Sequence, residues 1–171
     1  MLGSVVLAVG GAGARLEPRA LVLQSSEVPA GYELQERSSG DIRAVGAPDV
    51  LARPGLIGGY YATYWNTRAA TSKVIVSASY LYRSPAGAKA ALSATEREAR
   101  RNAPVSLERR RIQIGSGGML YTAHSRERAT AVLWRFDRVL AVLNCSSQLD
   151  HEKLALALAK TQQRRVAAAL R

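Results

Sequence analysis

The sequence predicts an α+β domain: an antiparallel sheet of about five or six strands with two main helices packed on one face. Three features carry that expectation. From Tyr60 to Tyr82, and again from Ala129 to Cys145, side chains alternate with the period of two that a pleated strand imposes. The stretches that follow Ser84-Pro85 and Asp150 instead repeat their apolar residues at helical spacing. Strands come in groups rather than one for one with helices, which favours antiparallel pairing. With 171 residues, 47% of them hydrophobic, the chain is long enough to close one core, so residues 15–171 are read as a single domain.

Met1 to Ala14, MLGSVVLAVGGAGA, is apolar and glycine-rich and ends in an A-x-A pattern before the polar shift at Arg15. It reads either as the tail of a secretory signal peptide or as a disordered N-terminus. It is too short to cross a bilayer as a helix, and no transmembrane span is expected elsewhere. Leu21 to Leu34 is a short apolar element, a polar segment in which Ser25 or Ser26 caps a helical turn, and a Pro29-Ala30-Gly31 turn. Glu36 to Gly59 holds five glycines and two prolines with little periodicity, which predicts a long loop at the rim of a binding site.

Tyr60 to Trp65 and Val74 to Tyr82 are strands, joined by a polar connector of hairpin size. Ser84 as N-cap and Pro85 at the first helical position start a helix whose buried stripe is Ala88, Ala91, Leu92, Thr95 and Ala99, and Asn102-Ala103-Pro104 ends it. Glu108 to Ile114 is a strand, Gly115-Ser116-Gly117-Gly118 a turn or bulge, and Met119 to Ala123 a further extended piece.

Ala129 to Cys145 is the central hairpin, with Val132, Trp134 and Phe136 on one face and Val139, Ala141, Leu143 and Cys145 alternating along the second strand. Both of its faces are largely apolar, which places it inside the sheet. Its turn at Asp137-Arg138 lacks the glycine that favours a two-residue loop, so a longer one is also open. Asp150 caps the final helix, and Leu154, Ala155, Leu158, Ala159 and Thr161 form the buried stripe.

The formal net charge of +11 comes almost wholly from arginine, lysine occurring only at positions 73, 89, 153 and 160. Arg97, Arg100 and Arg101 precede Arg109-Arg110-Arg111 across one helix-to-strand connection and form a basic edge suited to phosphate contacts. Solvation of that edge is the simpler reading of the same residues. Tyr60, Tyr64, Tyr80 and Tyr82 lie on two adjacent strands, which can set them on one face as a platform for an apolar or aromatic ligand. Ordinary cross-strand packing is the alternative.

Catalytic and cofactor motifs are lacking. The glycine run is followed by Met-Leu-Tyr-Thr, not by the Lys-Ser/Thr of a phosphate loop, and Ser116 has no G-x-S-x-G frame. Cys145, His124, His151 and Asp150 hold no ligand spacing, and Cys145 continues a buried alternation as a core thiol. No metal, no cofactor and no enzymatic activity are expected.

From Leu21 onward, LVLQSSEVPAGYEL, the strand-to-helix passage VSASYLYRSPAGAKAAL, the IGSGG turn with its extended sequel, and AVLWRFDRVLAVLNC resemble small extracytoplasmic domains of high-GC bacteria. These include lipoproteins and sensor domains, some likened to the Mog1/PsbP fold. The chain departs from that pattern in lacking paired cysteines, a lipobox, and an acidic pair where Ser116-Gly117 stand. The resemblance implies export and a binding or accessory role. Two functions follow. The first is a non-catalytic exported domain at the cell envelope that binds a small apolar ligand or a protein partner across the tyrosines and the Glu36 to Gly59 loop. The second is a cytosolic basic protein that binds nucleic acid through the arginine edge, and salt dependence separates the two.

Overall fold

The computed structural model describes residues 16–40, 55–68, 73–101, 107–124, 128–147 and 152–171. In chain order the elements are two short 3₁₀ turns, η1 (Pro18–Leu21) and η2 (Ser25–Glu27), then β1 (Glu33–Gly40), β2 (Leu56–Asn66), β3 (Lys73–Tyr82), α1 (Pro85–Arg101), β4 (Leu107–Ile112), β5 (Gly118–Ala123), β6 (Arg128–Phe136), β7 (Val139–Ser147) and α2 (Glu152–Ala169). Segment 1–14, read from the sequence as the tail of a signal peptide or a disordered N-terminus, most of the expected loop (41–54) and the Asp150 cap lie outside the described residues.

The seven strands form one sheet in the order β1-β2-β3-β7-β6-β5-β4, and every neighbouring pair is antiparallel. The β6–β7 hairpin stands near its middle, as its two apolar faces require. Its loop is the short one: Phe136 pairs with Val139, and Asp137 takes the left-handed φ of 50° that a two-residue turn demands. Aspartate tolerates that conformation better than most residues with a side chain.

The expected strand count falls short by the first edge strand. Glu33 to Gly40, half of it assigned by sequence to a loop, pairs with β2 from Glu33↔Trp65 to Gly40↔Gly59. Its outward side chains are polar because an edge strand has only one neighbour and little to cover, so no apolar alternation marked it. β2 likewise begins four residues earlier than Tyr60, through Gly58 and Gly59. Gly59 sits opposite Tyr80, and a Cβ there would stand 2.9 Å from the Tyr80 ring, so the strand is glycine where the ring crosses it.

The two α-helices pack on opposite faces, which corrects the expectation of one. α1 carries the chain from β3 in the sheet interior to the far edge at β4, and it passes over the face that bears Ala78, Tyr80, Leu140 and Leu133. Ser84 caps it, its Oγ accepting from Gly87 N at 3.2 Å. α2 packs on the other face, where Ala155, Leu158, Ala159 and Val166 meet Trp134, Val132, Leu143 and Cys145. A hairpin apolar on both sides needs both covers.

The segment 16–32 is a strap that completes the α2 layer. Leu21, Val22 and Leu23 are buried, and polar groups of the sheet hold their backbone: Ser79 Oγ donates to Pro18 O at 2.9 Å, Tyr64 Oη to Leu23 O at 2.7 Å, and Leu23 N donates to Ser77 Oγ at 3.0 Å. Ser77 Oγ in turn donates to Gln162 Oε1 of α2 at 2.9 Å, and Gln162 Nε2 to Ala78 O at 3.0 Å. This buried chain of hydrogen bonds ties the strap, the sheet and the last helix together.

Candidate functional site

The strap stops short of the β1 edge of the sheet and leaves a groove between itself, β1, β2 and α2. The groove has a volume of about 310 Å³. Tyr60 and Ala62 of β2 form its floor, Val22 and Leu23 of the strap its apolar wall, and Arg19, Arg37 and Arg165 its rim. Four separate segments meet there. Arg37 reaches the groove because β1 pairs Arg37 with Ala62, so the two side chains share the α2 face.

The three guanidinium groups are not equally occupied. Arg165 grips Glu27 in a fork, with Nη2 at 2.9 Å from one carboxylate oxygen and Nε donating to the other at 3.1 Å. Glu27 also accepts from Gln24 N at 2.8 Å, which closes the η2 turn. Arg19 pairs with Glu17 at 2.6 Å, both well exposed. Arg37 has no ion-pair partner among the described residues. The arrangement is one half-buried aromatic ring beside an apolar wall, with cationic fork donors around it, one of them without an ion-pair partner among the described residues.

The four sequence-predicted tyrosines do not form one platform. Across β2 and β3, Tyr60 faces Ser79 and Gly59 faces Tyr80, so Tyr60 and Tyr64 look toward α2 while Tyr80 and Tyr82 look toward α1. The register is offset by one residue from the one that would align them, and one residue reverses the face. Tyr64, Tyr80 and Tyr82 are buried, and burial raises the Tyr80 phenol to about 12. The Tyr64 phenol is also raised, by burial first, against the lowering effect of the Arg37 charge. Of the four, Tyr60 lines the groove.

The basic edge is divided in the same way. β4 is an edge strand, with Arg109 and Arg111 on the α1 side beside Tyr121 and Met119 and Arg110 on the α2 side beside Leu120. Arg110 is paired with Glu152. Arg100 of α1 and Arg109 both approach Tyr121, whose phenol is raised by burial and by Glu96 and lowered by those two cations. Arg97 and Arg101 lie exposed on the last turns of α1, Arg101 at the end where cations suit the helix dipole.

The other chemical candidates resolve simply. Cys145 is buried and free, and burial pushes its thiol up to about 12, far from a nucleophile at neutral pH. Gly115 at φ 57° and Gly117 at φ 129° make a tight turn, closed by Ser116 N on Arg135 O at 2.7 Å and Gly117 N on Ile114 O at 3.0 Å. Among the described residues no three of His, Cys, Asp and Glu stand close enough to hold a metal ion, and no helix is long and apolar enough to cross a membrane.

Arg19, Gln24, Arg37 and Arg165 escaped sequence reasoning. They come from the strap, an edge strand and the last helix, and only tertiary packing brings them together. The excess of arginine was their one signal, and it does not distinguish them from the rest.

The fold that results is a seven-stranded antiparallel sheet between α1 on one side and α2 with its strap on the other, an α+β architecture carrying a basic groove at one edge. That fold is shared with the extracellular domain of PknH from Mycobacterium tuberculosis, at a TM-score of 0.62 and 11% sequence identity, over 87% of this chain and 94% of that one. No family model matches the chain, and no curated protein matches it in sequence.

Proposed function

We propose that this chain is a non-catalytic exported domain of the cell envelope that binds a small ligand in the groove at Tyr60, and that the ligand is a flat or aromatic molecule bearing a negative charge. The groove itself carries the reading: about 310 Å³ of space over Tyr60, walled by Val22 and Leu23 and rimmed by Arg19, Arg37 and Arg165. Its volume is at the lower end of the range typical of small-molecule sites. An aromatic floor rewards a planar apolar body, and guanidinium forks reward a carboxylate or phosphate. The purely apolar ligand expected from four tyrosines gives way to an amphipathic one, because one tyrosine and three arginines line the space.

Export is supported by the likeness to an extracellular domain and by the A-x-A end of the first fourteen residues. The binding reading is tested by calorimetric titration with naphthoate and with uncharged naphthol as paired probes. Naphthoate binds at least about tenfold more tightly, since one charge-assisted hydrogen bond is worth roughly 1.5 to 3 kcal/mol. Tyr60→Ala weakens both probes, and Arg37→Gln weakens naphthoate alone. Equal affinities for the two probes, or naphthoate binding that neither substitution alters, would overturn the reading.

A further inference from the structure

At the opposite edge of the sheet, β4 presents a second surface that the groove at Tyr60 does not use. β4 pairs with β5 on one side, and its outer backbone edge has no strand partner among the described residues. Glu108, Arg109, Arg110 and Arg111 are all exposed. Their side chains alternate, with Arg109 and Arg111 toward α1 and Arg110 and Ile112 toward α2. A row of free N–H and C=O groups is a template for another strand.

The charges on this edge select what can pair with it. Glu108 is engaged with His124 at 3.4 Å and Glu152 with Arg110, whereas Arg109 and Arg111 have no ion-pair partner among the described residues. A second copy of β4 laid antiparallel along the edge would set arginine against arginine, which is unfavourable. An acidic strand meets the opposite situation. On the α2 side two hollows flank Arg110. One, of about 480 Å³, lies over Leu120 and Thr122 with Glu108 and Glu152 also lining it, and the other, of about 240 Å³, has Ile112, Ile114 and Leu156 for its walls and Lys160 and Arg111 at its mouth, which makes the second the one suited to an acidic strand.

We propose that the outer edge of β4 accepts an extended acidic segment of another protein as an added antiparallel or parallel strand, its carboxylates against Arg109 and Arg111 and an apolar side chain in the hollow beside Ile112 and Leu156. Backbone pairing supplies the affinity, and alternate side chains supply the choice of partner. The arginines thus do two things. They keep the edge from joining its own kind and admit a strand of opposite charge.

The probe is a synthetic peptide of alternating Glu and Val, roughly eight residues long to match a strand. It is titrated against the full chain with amide spectra as the readout. Saturable binding with the largest shifts at the amides of Leu107 to Ile112 is expected. The same peptide methylated on alternate backbone nitrogens keeps its charge and loses its donors, and it binds at least about tenfold more weakly. The Arg109→Glu/Arg111→Glu variant loses affinity by a similar factor, and Tyr60→Ala leaves it unchanged. Equal binding of the methylated peptide would mean charge alone and would refute strand addition. Preference for a single-stranded oligothymidylate of similar length, or no saturable peptide binding, would refute it as well.

Discussion

Gln162 is the residue whose removal tests the packing of this fold most sharply. It is fully buried in α2, in a helix face otherwise made of alanine, leucine and valine. Its side chain accepts from Ser77 and donates to Ala78 O, and through Ser77 it holds Leu23 N of the strap. Gln162→Leu keeps the volume and removes both bonds. Each lost bond costs about 1 kcal/mol net, and a Ser77 hydroxyl left without an acceptor adds roughly 1 to 3 kcal/mol. Burying a leucine in place of the amide returns about 1 to 2 kcal/mol. The net loss is therefore about 2 kcal/mol. With a urea slope of about 2 kcal/mol/M, the unfolding midpoint falls by about 1 M at unchanged slope. Ser77→Ala alone is destabilising, because it strips Leu23 N of its acceptor. The double substitution costs less than the sum of the two by about 1 kcal/mol, the signature of coupled groups. A midpoint for Gln162→Leu within about 0.2 M of the parent, or strict additivity, would show that the Ser77–Gln162 bonds do not help to hold the strap.

Further outcomes follow from the same structure. Gly115 and Gly117 both hold a positive φ that strains an alanine, but only at Gly115 does the added Cβ run into the Arg135 carbonyl, whereas at Gly117 it meets nothing within 4 Å, so both variants lose stability in thermal unfolding and Gly115→Ala loses about 1 to 3 kcal/mol more. Equal melting temperatures would contradict the close approach. The thiol of Cys145 and the phenol of Tyr80, both about 12 in the fold, ionise near 9 and 10 once unfolded. Unfolding therefore releases protons in that window: the stability they contribute is complete below pH about 9 and is lost as pH climbs toward about 12. Urea midpoints measured across it should fall more steeply for the parent than for Cys145→Ala, and identical slopes would place the thiol in contact with water. Fractionation of the native cells, with intact mass measured in each fraction, should recover the protein outside the cytoplasm. A cytosolic protein that retains Met1 would remove the case for export.

The interior of this fold could be read from the sequence because burial on both faces leaves a two-sided apolar pattern. Val132, Trp134 and Leu143 on the α2 face and Leu133 and Leu140 on the α1 face showed it, and Ser84-Pro85 marked the first helix separately. The same two-sidedness implied covers above and below the hairpin, yet chain order alone did not reveal that α1 is a crossover to the far edge while α2 returns to the opposite face. The edges were opaque for a related reason. β1 has one neighbour and exposes polar residues, so nothing in Glu36 to Gly40 distinguished a paired strand from a loop. The candidate site fell in that opaque region. Its tyrosines were visible as types, but the face each occupies turns on the β2–β3 register, and a shift of one residue parts Tyr60 from Tyr80. Gln162 was hidden because a polar residue in a buried stripe looks like a break in it until its partners on β3 are known.

Where a planar anion binds is the most direct test of the groove at Tyr60. Amide and side-chain spectra of the protein titrated with naphthoate should shift first and furthest at Tyr60, Ala62, Leu23 and Gln24, with the Arg37 guanidinium following, and should leave Tyr80 and Tyr82 on the α1 face unmoved. Shifts centred on the α1 face, or spread over the arginines of β4 with none at Tyr60, would contradict it and would leave the groove as a gap in the packing.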